Sequence, residues 1–370
     1  MLNKKNVVKK ILLAFLLILT LALSGCSSNQ SAQETKEVNQ NVVVKQKVII
    51  DTAGNEVELK EGVEKIAIVP IPWASIVYAV EGAGKRIAGM HPSAKKSYNK
   101  SILSTLAPEL DGVTTDFVSN DFTINMEEVS KIRPDVMIVW DYQEKELEQL
   151  KALGISTLAL KYGTLEDLQQ GIKVIGQMLG QEDRAAKLVN SHQESIKYFE
   201  AKAKELKDID KPRVLYLRDE QLKVAGKAAV NTAFIEMAGG ENVAKDTTGQ
   251  WVNVTMEQII AWNPQIIYMS NFSSFKPEDL YENKLDGQDW NRIDAVKNKR
   301  VYKAPEGIYR WDAPSAESHL MIKWMAQIQQ PDIFTEYDIE KDIRNFYSDF
   351  LNYNLRQEEV DRILQKELNN

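Results

Sequence analysis

The residues of this chain best suited to gripping a small anion are arginines set among large aromatic rings. Tyr309-Arg310-Trp311-Asp312 places a guanidinium between two rings and beside a carboxylate, just before Ala-Pro, in a segment without core periodicity. Arg218 and Trp251 offer the same chemistry, and Trp73, His91 and Trp140-Asp141-Tyr142 form a further set earlier in the chain. A guanidinium gives a planar anion paired hydrogen bonds, and aromatic faces add stacking and cation–π attraction. Simpler structural roles stay open for several of them. Trp73 and Trp140 would serve as covers for the ends of a sheet, Arg218-Asp219 as a local ion pair, and Trp251 as packing against a helix. Of the three histidines, His192 and His319 fall in helical stretches, where packing or surface roles are ordinary. His91, beside Pro92, is the one placed to reach a ligand or to hold a metal.

Enzyme chemistry finds no foothold. The chain has no His-Glu-x-x-His, no Gly-x-Ser-x-Gly, no P-loop and no Gly-x-Gly-x-x-Gly after a strand. Gly82-Ala-Gly84 follows a helix, which is the wrong context for a dinucleotide turn. The single cysteine, Cys26, excludes internal disulfides and zinc–thiolate sites.

The elements that must position these residues include a duplication. Met126-Glu127 through Pro134-Asp-Val-Met-Ile-Val139 and Met256-Glu257 through Pro264-Gln-Ile-Ile-Tyr-Met269 read alike at an offset of 130 positions. Each predicts a short helix, a proline that ends it, and a strand whose unbroken β-branched run suits a parallel sheet covered on both faces. That spacing is too long for a solenoid and fits two similar α/β lobes with a small-molecule cleft between them. A hairpin is expected over 48–59, with strands at 65–70, 86–90, 134–140 and 155–160, and a loop at 71–75 that holds Trp73. In the second half, strands are expected at 212–217 and 300–303, an aromatic loop at 304–314, an amphipathic helix at 315–329, and two terminal helices. From Thr164 to Leu206 the pattern is helical with one break at Gly180, and it predicts a stiff connector of one or two helices. In open α/β sheets ligands sit beyond the carboxyl ends of strands. Four of the seven tryptophans fall in such places, where rings have least structural reason to be.

The N-terminus supplies an address. Lys4, Lys5, Lys9 and Lys10 precede an apolar run from Ile11 to Leu23 and then Ser24-Gly25-Cys26, the layout of a secretory signal peptide over residues 1–25. Polar residues after Cys26 read as a flexible linker spanning 26–46. Removing the leader deletes four lysines and no acid, taking the formal charge from −7 to −11 and arguing against nucleic acid as a partner. About 330 remaining residues exceed one comfortable core and suit an N-terminal lobe over 47–163, a connector over 164–207 and a C-terminal lobe over 208–370.

With these features together, the chain resembles a substrate-binding lipoprotein of an ABC importer, in the class that handles iron–siderophore, haem and cobalamin complexes. The resemblance rests on Asp51-Thr-Ala-Gly-Asn-Glu-Val, both repeat copies, Ala238-Gly-Gly-Glu-Asn-Val-Ala244, Trp251 to Pro264, and Trp311-Asp-Ala-Pro through Trp324-Met-Ala. It implies two Rossmann-like lobes with mainly parallel sheets, joined by a long rigid helical connector. The ligand cleft would be lined by Trp73, His91, Trp140, Tyr142, Arg218, Trp251, Tyr309, Arg310 and Trp311. It also implies lipid attachment at Cys26, and docking of Glu127 and Glu257 onto a permease that works with an ATPase. The cargo would be a metal chelate, with a ferric siderophore first and nickel–chelate, haem or cobalamin as alternatives. The protein would act as a monomer with no intrinsic cofactor. An extracytoplasmic enzyme on the same scaffold is the competing class.

Overall fold

The computed structural model describes residues 46–207, 211–335 and 337–369. The leader, Cys26 and the linker as far as residue 45 lie outside them. Numbering helices of seven or more residues, the first lobe runs β1 (Gln46–Ile50), β2 (Glu56–Lys60), β3 (Ile66–Ile68), α1 (Trp73–Glu81), β4 (Ile87–Met90), α2 (Pro92–Lys100), α3 (Met126–Ile132), β5 (Val136–Trp140), α4 (Glu144–Ala152) and β6 (Ser156–Leu160). α5 (Leu165–Leu179) and α6 (Glu182–Glu205) follow. The second lobe has β7 (Arg213–Leu217), β8 (Lys223–Ala225), α7 (Val230–Met237), β9 (Glu241–Asn242), β10 (Trp251–Asn253), α8 (Met256–Trp262), β11 (Ile266–Met269), β12 (Val301–Lys303), α9 (Ser318–Gln329), α10 (Ile339–Leu351) and α11 (Gln357–Ile363).

The two repeat copies fold alike. Asn125 caps α3 and Thr255 caps α8, each through its side chain. Both helices end on a left-handed residue before proline, Arg133 at φ 51° and Asn263 at φ 42°. Proline forbids the helix from continuing, and the left-handed residue turns the chain into a strand. Asp135 N–H then donates to Lys65 O at 2.8 Å, and Gln265 N–H donates to Arg213 O at the same distance. β5 therefore lies parallel beside β3, and β11 parallel beside β7. The first sheet is parallel throughout, in the order β4-β3-β5-β6. The second is β10-β8-β7-β11-β12, with β9 also on β7. Its β8 and β10 run antiparallel. β5 and β11 are buried at every position, as strands covered on both faces must be.

The connector is two helices, and only one bridges the lobes. Gly180 adopts φ 67°, Gln181 N–H reaches back to Gly176 O, and α6 folds against α5. The approach is close enough that a Cβ on Gly176 would sit 2.4 Å from that of Ala185. Gln193 of α6 also donates to Gln169 of α5 at 3.1 Å. Of the one or two helices expected, there are two, folded as a hairpin, and α6 alone, about 36 Å long, spans the lobes. At its start the Arg184 guanidinium donates to Val80 O at 2.9 Å and Ala79 O at 3.0 Å, in the last turn of α1, and to Phe350 O in the last turn of α10. A cation there meets the negative ends of two helices at once. Farther along, His192 bonds Ala316 O at 2.8 Å and Phe199 packs on Phe334.

His192 and His319 lie ring against ring, 4.9 Å apart, and both are buried. Burial drives the His192 pKa down to about 4, against the pull of its bond to Ala316, and drives His319 well below its usual range. An unfolded chain protonates its histidines near pH 6.5, whereas the native fold resists until about pH 4. Stability is then lost as pH falls through that window, on the order of 3 kcal/mol for His192 alone. Urea midpoints measured from pH 7 to pH 4 are expected to drop accordingly, and His192→Gln is expected to flatten the profile.

Candidate functional site

Between the lobes lies a cavity of about 230 Å³, and its walls come from loops that follow strands. From the first lobe come Ile71 and Pro72 after β3, Trp140 at the end of β5, and Tyr162-Gly163 after β6. From the second come Trp251 of β10, the N-terminus of α7, and the loop Tyr309 to Pro314. Tyr162 Oη donates to Pro314 O at 2.9 Å, a hydrogen bond made from one lobe to the other.

The first-lobe wall is an aromatic ladder. Trp140 stacks on Tyr142, with centroids 6.1 Å apart and planes 15° from parallel, meets Tyr162 at 5.3 Å, and takes Phe122 edge-on at 6.3 Å. Gln143 supports it, accepting from Trp140 N–H and donating to Phe122 O, both at 3.1 Å. Phe122 sits at φ 69°, a costly place for a bulky residue, which the surroundings must enforce.

The second-lobe wall is cationic. Asp312, 3% exposed, pairs through Oδ1 with Arg310 Nε at 3.2 Å and through Oδ2 with the Ser270 hydroxyl, while its peptide oxygen accepts from Asn231 Nδ2 at 3.0 Å. Burial pulls the Arg310 guanidinium down, but Asp312 and the surrounding phenols outweigh it and hold the pKa above the usual range. Burial lowers Arg218, yet both arginines stay charged at any ordinary pH. Asp219 is not the partner of Arg218, because its carboxylate accepts the backbone N–H groups of Gln221 and Lys223. Among the described residues, Arg218 has no carboxylate within ion-pair distance and no side-chain hydrogen bond. Its guanidinium lies instead between the faces of Phe272, 4.0 Å away, and Trp251, 4.9 Å away. Arg310 is paired with Asp312, while Arg218 beside the cavity feels Asp219 and Asp312 only from beyond ion-pair distance.

Several sequence expectations need correction. Trp73 is fully buried, because α1 begins at Trp73 itself and turns the indole onto α5; a Cβ at Gly171 would lie 2.0 Å from it. Trp311 is likewise fully buried, in the core cluster that runs through both lobes and the connector. His91 is buried, and its Nδ1 caps α2 by accepting from Ser93 N–H at 3.0 Å. Burial lowers its pKa, it does not line the cavity, and among the described residues no group of three or more ligating side chains surrounds it. Trp140, Trp251, Tyr309 and Arg310 line the cavity, whereas Tyr142 and Arg218 flank it. The sequence pattern alone does not single out Tyr162 and Phe272, whereas Asp312 stands in it beside Arg310. Tyr162 and Phe272 also follow strands, so the rule that found Trp140 finds them once the strands are placed.

A groove of about 950 Å³ adjoins the cavity at Gly163, Ala229 and Val230, along the flank of α6. Its lysines and acids are close to balanced and its described lining holds no aromatic ring, so it lacks the chemistry of the smaller space.

Residues 74–307 match the periplasmic binding protein family across both lobes. The chain belongs to that family. A periplasmic solute binding protein of known structure from Veillonella parvula DSM 2008 is 52% identical, with a TM-score of 0.85 over 88% of this chain and 98% of that one. The molybdate-binding protein MolA of Haemophilus influenzae is 25% identical over 82% of this chain and 90% of its own length. An ABC transporter substrate-binding lipoprotein of Bacillus subtilis, YvrC, is 26% identical over 87% and 98%. A Helicobacter pylori CeuE complex with nickel–histidine shares the fold at 23% identity and a TM-score of 0.68. These relatives are binding proteins, several of them assigned to ABC transporters.

Arg218→Ala is expected to weaken an anionic ligand about tenfold or more, while Arg218→Lys restores the charge without the planar stacking and recovers only part of the loss. Equilibrium titration followed by tryptophan quenching measures both.

Proposed function

We propose that this protein is an extracytoplasmic substrate-binding protein that captures an anionic metal complex between its lobes and delivers it to an ABC importer. The observation that carries this reading is the Arg218 guanidinium held between Trp251 and Phe272, without an ion pair among the described residues, next to an Arg310 that pairs with Asp312 through Nε alone. Bare divalent ions call for clusters of carboxylate or imidazole, and no such cluster occurs among the described residues. A ferric chelate is the preferred cargo, since it offers negative charge, planar groups and oxygen acceptors together. A space of about 230 Å³ favours a compact complex over a porphyrin or corrin ring. The same volume supports a second reading, a small metal oxyanion, in line with the molybdate bound by the Haemophilus relative.

Delivery would use Glu127 and Glu257. Both are exposed and stand in the first turns of the equivalent helices α3 and α8; Lys131 approaches Glu127 at 3.2 Å. Two carboxylates related by the duplication suit a pseudo-twofold transporter and fix register more than affinity. Acylation of Cys26 would hold the protein at the membrane, since two or more chains anchor stably where one does not.

Native mass spectrometry with tryptophan quenching tests the cargo against ferric citrate, ferric hydroxamates, molybdate, nickel–histidine, haem and cobalamin. Binding of an iron chelate or molybdate is expected; selective binding of cobalamin or haem would overturn the assignment. Arg310→Ala is expected to cost the anionic ligand about 2 kcal/mol. Glu127→Ala combined with Glu257→Ala should leave solution affinity unchanged and abolish uptake by cells, whereas weaker binding in solution would count against a docking role.

A further inference from the structure

The loop that carries Arg310 is closed on itself by one antiparallel bridge between Glu306 and Arg310, and it is held from behind by a buried acid. Glu317, fully buried at the start of α9, accepts Ile308 N–H at 2.9 Å and Tyr309 N–H at 3.3 Å on Oε2, and Tyr347 Oη–H at 2.9 Å on Oε1. The chain passes so near that a Cβ on residue 307 would fall 1.9 Å from Oε1, a space only Gly307 leaves open. Tyr347 belongs to α10, so a helix remote in sequence reaches the ligand loop through a single carboxyl group. Ser315 Oγ in turn accepts Glu317 N–H at 3.2 Å and fixes the start of the helix.

We propose that Glu317 is a positioning residue of the cleft, pinning residues 307–309 and thereby aiming Arg310 at the bound anion. This rests on the ligand reading above. A buried carboxyl surrounded by donors is expensive unless every bond is made, and two of these bonds go to the peptides just before Arg310. Burial pushes the Glu317 pKa up to about 7 while Tyr347, Trp311 and the two backbone groups pull it down, so a neutral glutamine is a fair stand-in. A glutamine oxygen accepts the same two N–H groups, and its amide nitrogen donates to the Tyr347 oxygen. Leucine fills the space and accepts nothing.

The test compares wild type, Glu317→Gln and Glu317→Leu by amide hydrogen exchange and by titration with ferric citrate. Exchange at Ile308 and Tyr309 is expected to quicken at least tenfold in the leucine variant, with β7 and β11 unchanged, and to stay near wild type in the glutamine variant. Affinity for ferric citrate should fall more than tenfold with leucine and recover to within about threefold with glutamine. Equal exchange in wild type and leucine variant, or a loosened loop with undiminished affinity, would overturn the proposal. Should the leucine variant fail to fold, Tyr347→Phe removes one bond with little change of volume. It should speed exchange at these two amides several-fold, and no change there would equally overturn the proposal. A wild type that ignores ferric citrate would count against the ligand reading alone, because the exchange measurement needs no ligand and still decides the role of Glu317.

Discussion

The carboxylate of Asp312 sets the terms for the whole cleft. It is buried, and its oxygens and its own peptide carbonyl are engaged by Arg310, Ser270 and Asn231, which belong to three separate segments of the second lobe. A buried ion pair adds little net stability, but removing one partner strands a charge at a cost of several kcal/mol. Asp312 thus fixes where the Arg310 guanidinium lies without consuming all its donors. Because Asp312 pairs with Arg310, Arg218 has no carboxylate within ion-pair distance among the described residues and feels Asp219 and Asp312 only at longer range. On the proposed reading, an anion entering between the lobes would replace water around that guanidinium with its own oxygens.

Much of the architecture was legible because it follows from repeated local rules. The helix, proline and β-branched run written twice at 126–139 and 256–269 specify matching units, down to the left-handed residue before each proline and the peptide bond to the neighbouring strand. The hairpin over 48–59 was equally plain, since Ala-Gly-Asn interrupts two alternating runs, and β1 pairs with β2 antiparallel through it. Arg310, Trp140, Trp251 and Tyr309 stood out because large or cationic side chains in aperiodic segments have few structural uses.

What stayed hidden was direction. Trp73 and Trp311 have the right chemistry and the right neighbours in sequence, but the first residue of a helix and the last ring of a loop can face either way. The deciding contacts, Gly171 for one and the core cluster shared by both lobes for the other, lie far along the chain. His91 shows the same limit, since a cap bond to Ser93 is invisible until α2 is known to start at Pro92. The connector was legible only in part: Gly180 marks the break between its two helices, but only the missing side chain at Gly176 reveals that they fold back on each other.

A single helix held at its root by Arg184 has the mechanics of a leaf spring. The guanidinium joins the ends of α1 and α10, so spreading the lobes strains three oriented bonds together with the rod itself. Such a joint stores elastic energy over small angles and resists large ones. With closure confined to such angles, an empty carrier and a full one would differ little in outline. A transporter meeting both must tell them apart by fine surface relief, or by how readily the spring yields when it is pulled open.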